Sequence, residues 1–233
     1  MKPEDAENQA KLDAYLTYDL PRAPALAHYP NGWMSPFDLQ VIYNAARKTK
    51  GDILEIGPWL GRSSTAISLG VADRISHDGK DAVQYDLIDF GITGPDEWKS
   101  RFGTEFDFSY DKGRVARAIL HPGGSNAVLI ENLRRLDLLK YSNAIIRGDL
   151  IHTPIQKKYQ MVFCDALHTA EEIARTMPKL AKLLAKGSTL VADDVVTEGM
   201  AEQICSYLDV RDYFFSRTSD VRRRRKICVF GLN

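Results

Sequence analysis

The chain has 233 residues, and its 31 Lys+Arg are balanced by 31 Asp+Glu. That length can bury one substantial core, and zero net charge removes the global field that would favour nucleic acid or an anionic membrane surface. No apolar run approaches the roughly 20 residues of a bilayer span, and residues 1–8 lack the apolar stretch of a secretory signal, so a cytoplasmic protein is expected. Cys164, Cys205 and Cys228 are an odd count without metal-ligand spacing and read as reduced cysteines, two of them inside apolar runs.

In chain order, residues 1–30 read as an N-terminal helical extension: a helix over 6–17, then a connector punctuated by Pro21, Pro24 and Pro30. Ser35 and Pro36 supply an N-cap and a first-turn proline for a helix with Phe37, Val41, Ile42 and Ala45 at helical spacing. A buried strand over 53–56, a glycine turn and a helix from about Ser64 follow. A second strand covers 82–90. Residues 91–126 are rich in glycine, aromatics and charge and too long for an ordinary strand–helix loop. They read as an insertion serving as a lid or an oligomer contact.

A helix over 127–139 and strands over 144–147 and 159–165 come next, then a helix over 168–185 closed by Gly187 in a left-handed cap. A strand over 188–192, a helix over 199–208 and strands over 210–217 and 226–231 complete the chain. Five strand–helix units and a final strand pair predict an α/β domain over 31–233: a doubly wound, mostly parallel seven-stranded sheet with an antiparallel C-terminal strand.

The most informative segment is Glu55-x-Gly57-x-x-x-Gly61-x-Ser63, a strand running through a glycine turn into a helix. Such a turn lets backbone N–H groups approach a nucleotide-like ligand. It is neither a phosphate-binding loop nor a dinucleotide fingerprint, since both need other glycine spacings and the former a lysine.

Strand ends carry the second signal. Asp89, Asp149, Asp165 and the pair Asp193 and Asp194 each close or follow a predicted parallel strand, and in open α/β sheets ligands bind at that rim. Asp89 is placed to accept ribose hydroxyls. Asp149 faces either an adenine amine or its own turn as a cap. Asp165, Asp193 and Asp194 supply three oxygen donors suited to a hard divalent cation such as Mg²⁺, although one of the pair could instead cap the following helix.

Together these motifs resemble class I S-adenosylmethionine-dependent methyltransferases. Residues 159–168 and 183–196 resemble the metal-dependent catechol O-methyltransferase type and related small-molecule enzymes of natural-product pathways. The resemblance implies a Rossmann-like fold over about 31–233, outside the insertion. It implies a metal at Asp165, Asp193 and Asp194, and cofactor contacts from Glu55, Gly57, Trp59, Gly61 and Ser63. One position departs from the catechol enzymes: three residues past the strand-4 aspartate they carry a basic lysine, and here His168 stands there, as in another branch of similar enzymes. An imidazole can take a hydroxyl proton near neutral pH, or it can simply open the following helix.

The expectation is methyl transfer from S-adenosylmethionine to a hydroxyl of a small molecule, with Asp165 and His168 catalytic and a divalent metal assisting. The rivals are a metal-independent N- or RNA methyltransferase of the same fold and a non-catalytic cofactor-binding protein. The basic run from Arg222 to Lys226 reads as a solvated hairpin tip. Trp33 and Met34 are expected over the cofactor or acceptor, and His28, His121 and His152 as structural or surface residues. A homo-oligomer through the insertion or the N-terminal segment is the expected assembly.

Overall fold

The structure is a computed structural model and describes residues 3–21, 29–216 and 226–231. Its sheet contains β1 (Ile53–Ile56), β2 (Tyr85–Asp89), β3 (Ala144–Arg147), β4 (Tyr159–Cys164), β5 (Leu184–Asp193), β6 (Tyr213–Phe215) and β7 (Ile227–Gly231). The strands lie in the order β3-β2-β1-β4-β5-β7-β6, with β7 antiparallel to both neighbours and the β3-to-β5 pairs parallel. This is the doubly wound, mostly parallel architecture expected.

The helices are α1 (Pro3–Tyr15), α2 (Pro36–Lys48), α3 (Arg62–Ser76), α4 (Pro95–Phe102), α5 (Arg114–Ile119), α6 (Gly124–Arg135), α7 (Ala170–Leu183) and α8 (Glu198–Leu208). Side-chain alternation along the central strands divides them into two layers. Ile53, Met161 and Phe163 join a cluster with residues of α2, α3 and α6, including Ile42, Ile67 and Leu129. Leu54, Val162 and Cys164 face the opposite cluster, with Ile173 and Met177 of α7 and Ile204 of α8. Burial on both faces explains why these strands are nearly continuous apolar runs. Among the described residues, no helix is long and apolar enough to cross a membrane.

Local signals set the helix ends. Ser35 and Asp38 form a reciprocal capping box at α2, the Ser35 N–H donating to Asp38 Oδ2 across 2.8 Å. Thr169 caps α7 and Thr197 caps α8, so neither Asp193 nor Asp194 serves as a helix cap. Because Thr169 is extended, α7 starts at Ala170 and leaves His168 in the loop, two residues later than the periodicity indicates. At the other end Leu184 is already extended, so the chain passes directly from α7 into β5. Gly187 is left-handed as expected (φ +69°), but it lies within β5, where the register against β4 shifts, and is not a helix cap.

Residues 91–126 are more ordered than the sequence indicates. They form α4, a 3₁₀ turn at Tyr110–Gly113 and α5, and α6 begins at Gly124. Ile92, Phe106, Val115 and Ile119 pack into a cluster of their own, with Trp59, Phe90 and Trp98 against it. The N-terminal α1 docks on the β6 edge: Asn8 donates to the Phe215 carbonyl (3.0 Å) and accepts from its N–H (2.7 Å). His28 and the stretch Arg222–Arg225 lie outside the described residues.

Candidate active site

Strand order reverses beside β1, and the carboxyl ends of β1, β2, β4 and β5 share one rim there, where such sheets bind ligands. The Gly57 N–H donates to the Ile88 carbonyl (3.0 Å) and the Asp165 N–H to that of Ile56 (2.9 Å), which ties the three central strand ends together. Two adjoining cavities open from this rim. One, about 300 Å³, is bordered by Ile88, Asp89, Phe90, Trp98, Asp149 and Leu150. The other, about 410 Å³, is bordered by Asn31, Arg62, Tyr110, Asp193, Asp194 and Lys226. Trp33, Gly57, Trp59, Asp165 and His168 border both.

The glycine turn is built for close approach. Gly57 has φ +79°, and a Cβ there would stand 2.8 Å from the Asp165 carbonyl oxygen. Gly61 (φ +96°) begins α3 against Leu129 and borders neither cavity, so its smallness serves helix packing. Trp59 adopts φ +50°, which turns its N–H toward Asp89 Oδ2 at 3.4 Å. The Gly91 N–H donates to Asp89 Oδ1 across 2.7 Å. Burial raises the Asp89 carboxyl pKa, and these two backbone donors oppose the rise.

Glu55 lies beneath the turn, away from the cavities. It is fully buried, and its carboxylate accepts from the Ser63 (2.5 Å), Ser64 (2.7 Å) and Tyr85 hydroxyls. Burial pushes its pKa up to about 7, against the pull of those donors. It thus joins β1, β2 and the first turn of α3. Ser63 borders the second cavity while spending its hydroxyl on Glu55. Asp149 borders the first cavity and also caps its own turn, accepting from the Ile151 N–H (2.9 Å) and contacting His152 (3.0 Å). His121 lies 3.3 Å from Glu131.

The acids after β4 and β5 divide into two groups. Asp165, His168 and Asp194 each bring one ligand atom within 4.8 Å of the others. His168 is held from both sides: Nε2 lies 3.0 Å from Asp165 Oδ1, and Nδ1 lies 2.9 Å from Glu172 Oε2. The Asp165 contact chiefly, with Coulombic help from Glu172, raises the imidazole pKa to about 9 despite partial burial. Asp193 instead faces Lys226, whose ammonium donates to Asp193 Oδ2 (2.9 Å) and Asp194 Oδ1 (2.8 Å). Burial and the neighbouring Asp165 charge raise the Asp193 pKa, and no described residue hydrogen-bonds its Oδ1. Burial opposes the charge on Lys226, yet the two carboxylates hold it firmly as the ammonium.

Two carboxylates and an imidazole at this spacing fit a divalent cation. It shares Asp165 and Asp194 with the expected trio of Asp165, Asp193 and Asp194, and Lys226 donates to both Asp193 and Asp194. Sequence reasoning missed both Lys226 and Glu172. The i,i+4 spacing of His168 and Glu172 was a usable signal, since Glu172 lies one helical turn from the histidine.

Above the rim, Trp33 stacks on Trp59 (6.4 Å between centroids, 29°) and meets Tyr110 of the insertion at 6.1 Å. Met34 borders the second cavity.

A doubly wound sheet with antiparallel β7 and a glycine turn opening on acidic strand ends defines the class I methyltransferase architecture. A family model described as a methyltransferase domain matches residues 54–195, more than half of the chain. The chain belongs to this methyltransferase-domain family, in the class I, S-adenosylmethionine-dependent group.

Solved structures agree on the fold. The O-methyltransferase NovP superposes with TM-score 0.59 at 17% identity, covering 96% of this chain and 98% of that one. A Klebsiella pneumoniae protein provisionally described as an O-methyltransferase gives 0.56 at 13% identity, over 98% and 96%. Cofactor-bound Rv0187 from MTB gives 0.52 at 15%, over 100% and 90%. No curated protein matches the sequence significantly.

Proposed function

We propose that the protein transfers a methyl group from S-adenosylmethionine to a hydroxyl of a small molecule, with a divalent cation assisting, in a cytoplasmic setting. The observation that carries this reading is the pair of cavities meeting at Gly57, Asp165 and His168. A two-substrate transfer needs two binding spaces with their reacting ends in contact.

Bound S-adenosylmethionine supplies a methyl group on a sulfonium leaving group. Asp89 would receive the ribose hydroxyls in the 300 Å³ cavity, Gly57 would let the amino-acid portion pass close to the backbone, and Asp149, Phe90 and Leu150 would flank the base. The acceptor enters the 410 Å³ cavity beneath Trp33 and Tyr110, and the insertion closes over it as a lid. Asp165 and Glu172 orient His168 through its two ring nitrogens and hold it as the imidazolium; when Asp165 turns to a cation or to the acceptor, the contact that raises the imidazole pKa is lost and the freed Nε2 can receive the acceptor's proton. Asp165 and Asp194 would hold a divalent cation, with His168 beside it as the base or, in place of that role, as a third ligand; the cation would lower the pKa of a bound hydroxyl. Exposed Phe108 and Leu120 on the insertion are the surfaces through which two copies associate.

A second reading has one specific observation in its favour: Lys226 already places a cation against Asp193 and Asp194. In that case transfer proceeds without a metal. Turnover of a panel of hydroxylated metabolites, with and without chelator, separates the two. The proposal expects activity to fall with chelator and to return with Mg²⁺. Activity indifferent to chelator supports the metal-free reading, and no methylation of any hydroxylated acceptor removes both.

A further inference from the structure

A third cavity, about 500 Å³, lies beyond the rim between the start of the domain and helices α5 and α6. Tyr29, Arg114, Arg117, His121, Asn132 and Arg135 border it, and none of the described residues bordering it is acidic. Arg114 and Arg117 stand one helical turn apart on α5, exposed, and neither is paired with a carboxylate among the described residues. Glu131 contacts His121 at 3.3 Å. Tyr29 is only 6% exposed, and no described group accepts from its hydroxyl.

Three guanidiniums border this one cleft, and those of Arg114 and Arg117 meet no described carboxylate, which calls for an acceptor-only ligand with more than one negative charge. Concentrating these cations in a neutral chain, with no acid lining the same cavity, also departs from the mixed pattern of an ordinary solvated surface. Asn31 borders both this cleft and the acceptor cavity, so the two spaces adjoin. Arg62 fixes that junction by donating to the Pro30 (3.1 Å) and Met34 (2.8 Å) carbonyls.

We propose that the cleft binds a phosphate-bearing end of the methyl acceptor, whose hydroxyl-bearing part lies across Asn31 against His168. The assignment rests on the methyltransferase reading above and narrows its substrate class to phosphorylated small molecules. A monophosphate or diphosphate satisfies these guanidiniums with its several oxygens, whereas a neutral acceptor leaves Arg114 and Arg117 without a partner among the described residues.

The test is calorimetric titration of inorganic pyrophosphate into the full-length protein and into the variant R114Q/R117Q, at constant ionic strength. S-adenosylmethionine is titrated into the same samples. Both arginines are exposed and lie away from the catalytic rim, so the variant is expected to keep its fold and its cofactor affinity. The expected result is pyrophosphate binding by the wild type that weakens at least about tenfold in R114Q/R117Q. Equal binding by wild type and double variant, or no binding by the wild type, overturns the site. Far tighter capture of a short single-stranded RNA than of pyrophosphate overturns the small-molecule assignment in favour of a nucleic-acid one. Absence of cofactor binding appears in the other titration and counts against the methyltransferase reading itself.

Discussion

The Lys226 ammonium donates to the buried Asp193 carboxylate across 2.9 Å, joining the residue before β7 to the last residue of β5. Asp193 is 1% exposed, so this cation is what makes an ionised carboxylate tolerable at that depth. Lys226→Met should destabilise the fold by about 3 kcal/mol, because it leaves a buried acid uncompensated. Asp193→Asn in the same background should restore part of the loss. Urea unfolding measures both, and an unchanged midpoint in the single variant would show that the pair contributes nothing.

Gly57 separates backbone strain from close approach. Gly57→Ala faces both a positive φ and the Asp165 carbonyl oxygen 2.8 Å from the new Cβ, whereas Gly79→Ala (φ +61°) meets nothing within 4 Å. Strain alone costs about 1 kcal/mol, so Gly79→Ala should lose about that much. Gly57→Ala should lose clearly more and should weaken cofactor binding as well. Equal losses in thermal unfolding would remove the close approach from the account.

Glu55 predicts a pH dependence of stability. Its carboxyl is raised from an ordinary 4.5 to about 7 by burial. Between those values the folded protein keeps a proton that the unfolded chain has released, so stability falls as pH rises from about 4.5 to 7 and levels off above. The contribution is about 3 kcal/mol across that window. Glu55→Gln should remove this slope. A difference between wild type and E55Q that stays flat from pH 4.5 to 7 contradicts the assignment.

His168 is assigned to the proton and not to the cofactor. His168→Gln should lower kcat by about 100-fold or more while leaving S-adenosylmethionine affinity unchanged. Glu172→Gln, which removes the 2.9 Å contact to Nδ1, should lower kcat less. A His168 variant that loses cofactor affinity in step with turnover would place the imidazole in the cofactor site.

Much of this was legible in the chain because parallel strands deliver their carboxyl ends to one rim. Acids at positions 89, 149, 165, 193 and 194 could be grouped from strand boundaries alone. Lys226 could not, since its position follows from the antiparallel register that sets Ile227 against Asp193, and in sequence it is merely the last of five basic residues. Glu55 was carried over as a cofactor contact by the methyltransferase resemblance, and as a buried acid in an apolar strand it also needs partners within the fold. The partners are hydroxyls from α3 and β2 that only the folded sheet brings beneath it. Helix α4 was missed although its signals were present: Pro95 at the start, Asp96 and Glu97 in the first turn, and Gly103 as a left-handed cap. The surrounding glycines and aromatics outweighed them.

The central claim is that the 300 Å³ cavity beside Asp89 receives S-adenosylmethionine, and calorimetric titration of the cofactor into wild type and Asp89→Asn tests it most directly. The account predicts saturable one-site binding by the wild type, weakened at least about tenfold in D89N, because a carboxylate that accepts ribose hydroxyls contributes about 1.5–3 kcal/mol. Absence of binding by the wild type, or equal affinity in the two proteins, would contradict it.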